Sequence, residues 1–140
     1  MLKIQGVLET SVYVDDLDRA HFFYNDVLGL ERMFEGDRLY AYDAGPRSVL
    51  LVFLRHGAVD DLETPGGTIP GHNSVGPAHF AFGIETDAYE RWKLHMEARH
   101  VAIISEVEWP AGGKSFYFND PDGNVLELAT PGNWPNDPAP

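Results

Sequence analysis

The sequence predicts an α+β fold built from two βαβββ modules. Three observations carry this expectation. The same order of strand and helix signals runs twice along the chain, a Gly/Pro-rich stretch separates the two runs, and the strand segments alternate bulky apolar residues with small or polar ones. With 140 residues there is room for one substantial apolar interior, so the two runs are read as a single domain. Module one is placed at about 5–56, the linker at about 57–77, module two at about 78–130 and a Pro-rich tail at 131–140.

In the first module, Val7 to Val14 alternates as a strand. Asp15 and Asp16 then open a helix with Leu17, Ala20, Tyr24, Val27 and Leu28 at helical spacing, closed by Gly29. A short strand near Glu31 to Phe34 follows, then a hairpin of Leu39 to Tyr42 and Val49 to Leu54 around the turn Asp43-Ala44-Gly45-Pro46. Gly57 to Pro77 shows no sustained periodicity and reads as a linker or a lid, because a structureless stretch of about 20 residues seldom survives unless it joins modules or serves a site.

The order then repeats. His79 to Ile84 alternates as a strand, and Asp87 with Glu90 forms a capping box for a helix carrying Tyr89, Trp92 and Met96 that ends near His100. Val101 to Ile104 reads as a strand, and Phe116 to Phe118 with Val125 to Ala129 as a hairpin around Asn119-Asp120-Pro121-Asp122-Gly123-Asn124. In the tail, irregular from Thr130, Trp134 is expected to pack back on the body.

Composition excludes several classes of function. Ten Lys and Arg stand against 22 Asp and Glu, a formal charge of −12 that repels phosphate backbones and anionic membranes, so neither nucleic acid nor a membrane is an expected partner. No cysteine is present, which removes disulfides, zinc thiolates and thiol nucleophiles and leaves the chemistry to oxygen and imidazole. The opening residues lack the apolar core of a signal peptide, and no later run reaches the roughly 20 residues needed to span a bilayer, so a soluble cytoplasmic protein is expected.

Alternation along the strands sorts the candidate site residues. In the first strand Leu8, Thr10, Val12 and Val14 share one side and Glu9, Ser11 and Tyr13 the other. In the strand at 79–84, bulky Phe80, Phe82 and Ile84 oppose His79, Ala81 and Gly83, and in the last strand Leu126 and Leu128 oppose Glu127. One titratable group per strand thus faces a roomy surface. A buried carboxylate needs a partner, and two carboxylates with one imidazole suit Mn²⁺, Fe²⁺, Ni²⁺ or Zn²⁺ while leaving positions open for substrate. Glu9, His79 and Glu127 are therefore the expected ligands of a divalent metal ion. The plainer alternatives are an edge-strand glutamate for Glu9, a core histidine bonded to backbone for His79, and an arginine partner for Glu127. His72, in the linker, becomes an acid or base if that segment folds over the cavity.

Val12-Tyr13-Val14-Asp15-Asp16-Leu17, leading into Phe22-Phe23-Tyr24-Asn25-Asp26-Val27-Leu28-Gly29-Leu30, and the run Tyr117 to Leu128 resemble the vicinal oxygen chelate superfamily. That superfamily takes in glyoxalase I, extradiol dioxygenases, fosfomycin-resistance enzymes, methylmalonyl-CoA epimerase and bleomycin-binding proteins. The resemblance implies an open, half-barrel-like mixed sheet around a cavity, and metal ligands at Glu9, His79 and Glu127. It implies an active-site role for Tyr117 and a homodimer. The expected function is a metal-dependent lyase, isomerase or extradiol dioxygenase that chelates two neighbouring oxygens of a small substrate. Two departures accompany it: the further carboxylate of glyoxalase I falls at Leu51 here, and the extradiol and fosfomycin enzymes usually carry His where Glu9 stands. The rival expectations are a metal-free small-molecule binding protein of the bleomycin-resistance type, using Trp109 and Tyr13, and a structural module that kept only the fold.

Overall fold

The computed structural model describes residues 1–137 and divides the chain into two compact units, 1–76 and 77–140. In the first unit, β1 (Glu9–Val14), β2 (Arg32–Glu35), β3 (Leu39–Asp43) and β4 (Val49–Leu54) form an open sheet in the order β1-β4-β3-β2. β1 and β4 run parallel, which requires a crossover, and the helix α1 (Leu17–His21) lies on that crossover. Asp16 caps α1 by accepting a hydrogen bond from the Arg19 N–H at 2.9 Å, as the sequence leads one to expect. The helix continues through Phe22–Val27 with a wider π turn and stops at Gly29, whose φ of +75° is the left-handed conformation that glycine adopts without strain.

The strand faces divide as alternation predicts. Val12, Val14, Leu50, Val52, Tyr40 and Tyr42 are buried together with Ala20 and Tyr24, and Glu9, Ser11 and Tyr13 take the opposite side of β1. His21, the last residue of α1, turns towards the sheet. It is half-buried, stacks on Tyr42 and shares a 2.8 Å hydrogen bond with the Tyr42 hydroxyl. The segment expected to be structureless contains a small hairpin, β5 (Leu62–Thr64) with β6 (Gly67–Ile69).

The second unit repeats the plan with β7 (His79–Gly83), α2 (Tyr89–Ala98), β8 (Ser105–Glu108), β9 (Lys114–Asn119) and β10 (Val125–Ala129), in the order β7-β10-β9-β8. Three expectations are corrected here. The capping box of Asp87 and Glu90 does not form, because a 3₁₀ turn over Thr86–Ala88 precedes α2 and Asp87 instead stands 3.7 Å from Arg91. The strand expected at 101–104 lies at 105–108, since pairing runs back from the tight turn joining Trp109 to Gly113 and ends where Ser105 meets Tyr117. Trp134 is 72% exposed rather than packed. The last tail residues, 138–140, lie outside the described residues, and no described helix is long and apolar enough to cross a membrane.

A buried hydrogen-bond cluster fixes the end of β7. Asp120 accepts from the backbone N–H groups of Asp122 and Asn124 and from the Asn124 side-chain amide. The Asn124 Oδ1 in turn accepts from the Ala78 N–H at 2.9 Å. The hairpin turn is thereby tied to the residue preceding His79, and a part-buried donor finds its partner. Replacing Asn124 by Ala removes the acceptor of the Ala78 N–H and the amide donor to Asp120. Urea unfolding of Asn124→Ala is expected to show a loss of about 1–3 kcal/mol.

Candidate functional site

The register of the second unit brings His79, Tyr117 and Glu127 together. Parallel pairing sets Val125 beside His79 and Glu127 beside Ala81, and antiparallel pairing sets Glu127 opposite Tyr117. His79 and Glu127 thus share a sheet face two residues out of step, on a diagonal whose other corners are Ala81 and Val125. The His79 Nε2 lies 3.4 Å from Glu127 Oε1. The other ring nitrogen, Nδ1, donates to the Val125 carbonyl at 2.8 Å, so in the neutral ring Nε2 carries the lone pair. A lone pair and a carboxylate oxygen at that distance repel unless a positive charge, a metal ion or a proton on Nε2, lies with them.

Burial distinguishes the two groups. Glu127 is buried, whereas the His79 side chain is 52% exposed. The backbone bond expected of a core histidine is present in His79, but the ring is not in the core. In metal sites a bond from the far nitrogen to a carbonyl orients a ligating imidazole and fixes its tautomer. Tyr117 closes the group: its ring centroid lies 5.9 Å from that of His79, and strand pairing sets it opposite Glu127. Burial first, and then the Glu127 charge, raise the Tyr117 pKa above the ordinary phenol value, which keeps the hydroxyl protonated as a donor. No arginine partner of Glu127 is found among the described ion pairs.

Glu9 and His72 belong to the first unit, where both line one cavity of about 450 Å³. Ser11 and Tyr13 of β1 and Leu51 and Phe53 of β4 form its floor, and the segment after β4 forms its rim. That segment is pinned at its base. The His72 N–H donates to the Ala58 carbonyl at 2.7 Å, the Gly71 N–H to Asp61 at 2.9 Å, and the His56 N–H to Asn73 at 3.0 Å. Arg38, which the sequence did not single out, donates to the Gly57 carbonyl and also lines the cavity. Among the described residues no group of three or more His, Asp or Glu is clustered as a metal site. Two of the three expected ligands therefore meet within one unit, and the third stands in the other.

Known proteins extend this picture. Residues 6–128 match the model of the glyoxalase/bleomycin resistance protein/dioxygenase superfamily. The crystal structure of a lactoylglutathione lyase from Agrobacterium tumefaciens is similar, with 34% identity, a TM-score of 0.82, and coverage of 91% of this chain and 94% of that one. Metallothiol transferase FosB of Staphylococcus saprophyticus is 27% identical over 128 residues, covering 91% of this chain and 78% of the relative. The fosfomycin resistance protein FosX from Mesorhizobium loti, 20% identical with a TM-score of 0.61 and covering 91% of this chain and 93% of that one, shares the fold.

The tight closure of the rim yields a prediction. A Cβ at Gly71 would clash with the Val59 carbonyl oxygen, so the loop closes only with glycine there. Gly71→Ala is expected to open residues 57–73 locally, with faster amide exchange and protease cleavage confined to that segment. The global stability should change by less than about 1 kcal/mol in urea unfolding.

Proposed function

Because the chain belongs to the glyoxalase/bleomycin resistance protein/dioxygenase superfamily, we propose that it is a cytoplasmic, homodimeric, divalent-metal-dependent enzyme acting on a small substrate that offers two neighbouring oxygens. The observation that carries this reading is the His79 and Glu127 pair, an imidazole lone pair and a buried carboxylate 3.4 Å apart, with the imidazole oriented by a backbone carbonyl. Such a donor set fits Mn²⁺, Fe²⁺, Ni²⁺ or Zn²⁺. Glu9 is proposed as the first unit's donor to a divalent ion on register equivalence: it opens β1 opposite Val49 as His79 opens β7 opposite Val125.

A bound divalent ion would polarise a substrate oxygen and stabilise negative charge developing there. Glu127 and His79 would hold and orient it, and the Tyr117 hydroxyl, kept protonated, supplies a hydrogen bond to an oxygen bound beside Glu127. His72 is proposed as the acid or base group of the first unit's cavity. The named relatives include a lyase and a metallothiol transferase, which supports lyase or transfer chemistry over metal-free binding and over oxygen-dependent ring opening.

Manganese titration of chelator-treated protein, followed by electron paramagnetic resonance, tests the proposal. The wild type is expected to bind the ion, with affinity falling at least about tenfold in His79→Ala and in Glu127→Ala and less in Glu9→Gln. Binding unchanged in all three variants, or no uptake of Mn, Fe, Ni or Zn by the wild type, overturns it. Formation of lactoylglutathione and thiol-dependent modification of fosfomycin are the activities to assay first. In whichever proceeds, Tyr117→Phe is expected to lower kcat by about 10²-fold with manganese affinity nearly unchanged.

A further inference from the structure

Three aromatic rings meet on the floor of the first unit's cavity, and the fold does not need them there. Tyr13 and Phe53 are register partners of β1 and β4, and their rings stack at 5.6 Å. His72 reaches the same place from the loop: its ring stands edge-on to Phe53 at 4.6 Å, and its Nδ1 lies 2.5 Å from the Tyr13 hydroxyl oxygen. In the second unit the equivalent partners of the parallel pair are Gly83 and Ala129, so the same sheet is built with no ring at either position. The three rings therefore serve the cavity rather than the strand pairing.

Burial raises the Tyr13 pKa above the ordinary phenol value, so the phenol keeps its proton and has it to donate to Nδ1. A neutral imidazole that accepts at Nδ1 carries its one proton on Nε2. We propose that the Tyr13 hydroxyl donates to His72 Nδ1 and so leaves His72 to donate a hydrogen bond through Nε2–H to a carbonyl or hydroxyl oxygen of a small substrate in the first unit's cavity, with Tyr13 as its positioning residue. This rests on the small-substrate reading above and deepens it, since of the two roles given to His72 there it assigns the donor's. The backbone bond from His72 to Ala58 and the edge contact with Phe53 hold the donor in place before a ligand arrives, which is what makes such a group effective. Glu9 and Asp60 line the same cavity against one guanidinium, that of Arg38, so an uncharged hydroxycarbonyl compound suits it better than an anion.

Long-range nitrogen–proton NMR of histidine-labelled protein, with hydroxyacetone as the probe, tests this without metal and without turnover. At alkaline pH the wild-type His72 is expected to show the Nε2–H tautomer, and Tyr13→Phe to show a mixture like that of exposed His100. Saturating hydroxyacetone should shift the His72 Nε2–H resonance. His72→Gln should weaken hydroxyacetone binding by about three- to tenfold, the loss of one hydrogen bond. Urea unfolding checks that Tyr13→Phe, which keeps the ring stack, remains folded. An Nδ1–H tautomer in the wild type, a tautomer indifferent to Tyr13→Phe, or a His72 resonance unmoved by hydroxyacetone overturns the proposal. A protein that fails the manganese titration and passes here loses only the metal reading, and the converse result removes only the donor.

Discussion

The parallel pairing of the first and last strand of each four-stranded sheet is the constraint on which both candidate sites depend. Residues far apart in sequence become neighbours on one sheet face only because β7 runs beside β10, and β1 beside β4, in a fixed register. A slip of one residue would turn Glu127 towards the apolar side and bring Leu126 or Leu128 to the place beside His79. The buried Leu126, Leu128, Phe116 and Phe118 oppose that slip, since each would have to leave the core. Apolar packing on one face thus secures the polar arrangement on the other. The Asp120 and Asn124 cluster adds a directional restraint at the strand end where His79 sits.

One plan serves two different surfaces. The second unit carries polar groups at three positions, with His79, Glu127 and Tyr117 on a face they share with Ala81, Gly83 and Val125. In the first unit the position equivalent to Glu127 is Leu51 and that equivalent to Tyr117 is Ala41, so only Glu9 remains of the donor set. Its floor is instead aromatic, with Tyr13, Phe53 and His72 in contact. Fold membership does not by itself choose a reaction, because the same scaffold carries lyases and thiol transferases among its relatives. The differences between the two units are where such a choice is written.

The duplicated order, the cap at Asp16 and the face assignments of β1, β7 and β10 were legible because period-two alternation and side-chain capping are local properties. The missing cap at Asp87 and the shifted β8 were not, because a 3₁₀ turn and a strand's extent depend on what pairs with them. Likewise no local pattern marks the small β5–β6 hairpin, the bond of Arg38 to Gly57, or the contact of His72 with Tyr13 across a long loop.

Sequence alone determined which side of each strand His79, Glu127, Glu9 and Tyr13 occupy, since alternation along a strand leaves no freedom in the matter. Tertiary structure alone decided that His79 stands 3.4 Å from Glu127 with its far nitrogen committed to a carbonyl, and that a loop histidine is held by a strand tyrosine. Distances between side chains on different segments come from strand register and loop closure. Both are set by the packing of the whole unit rather than by neighbouring residues in the chain.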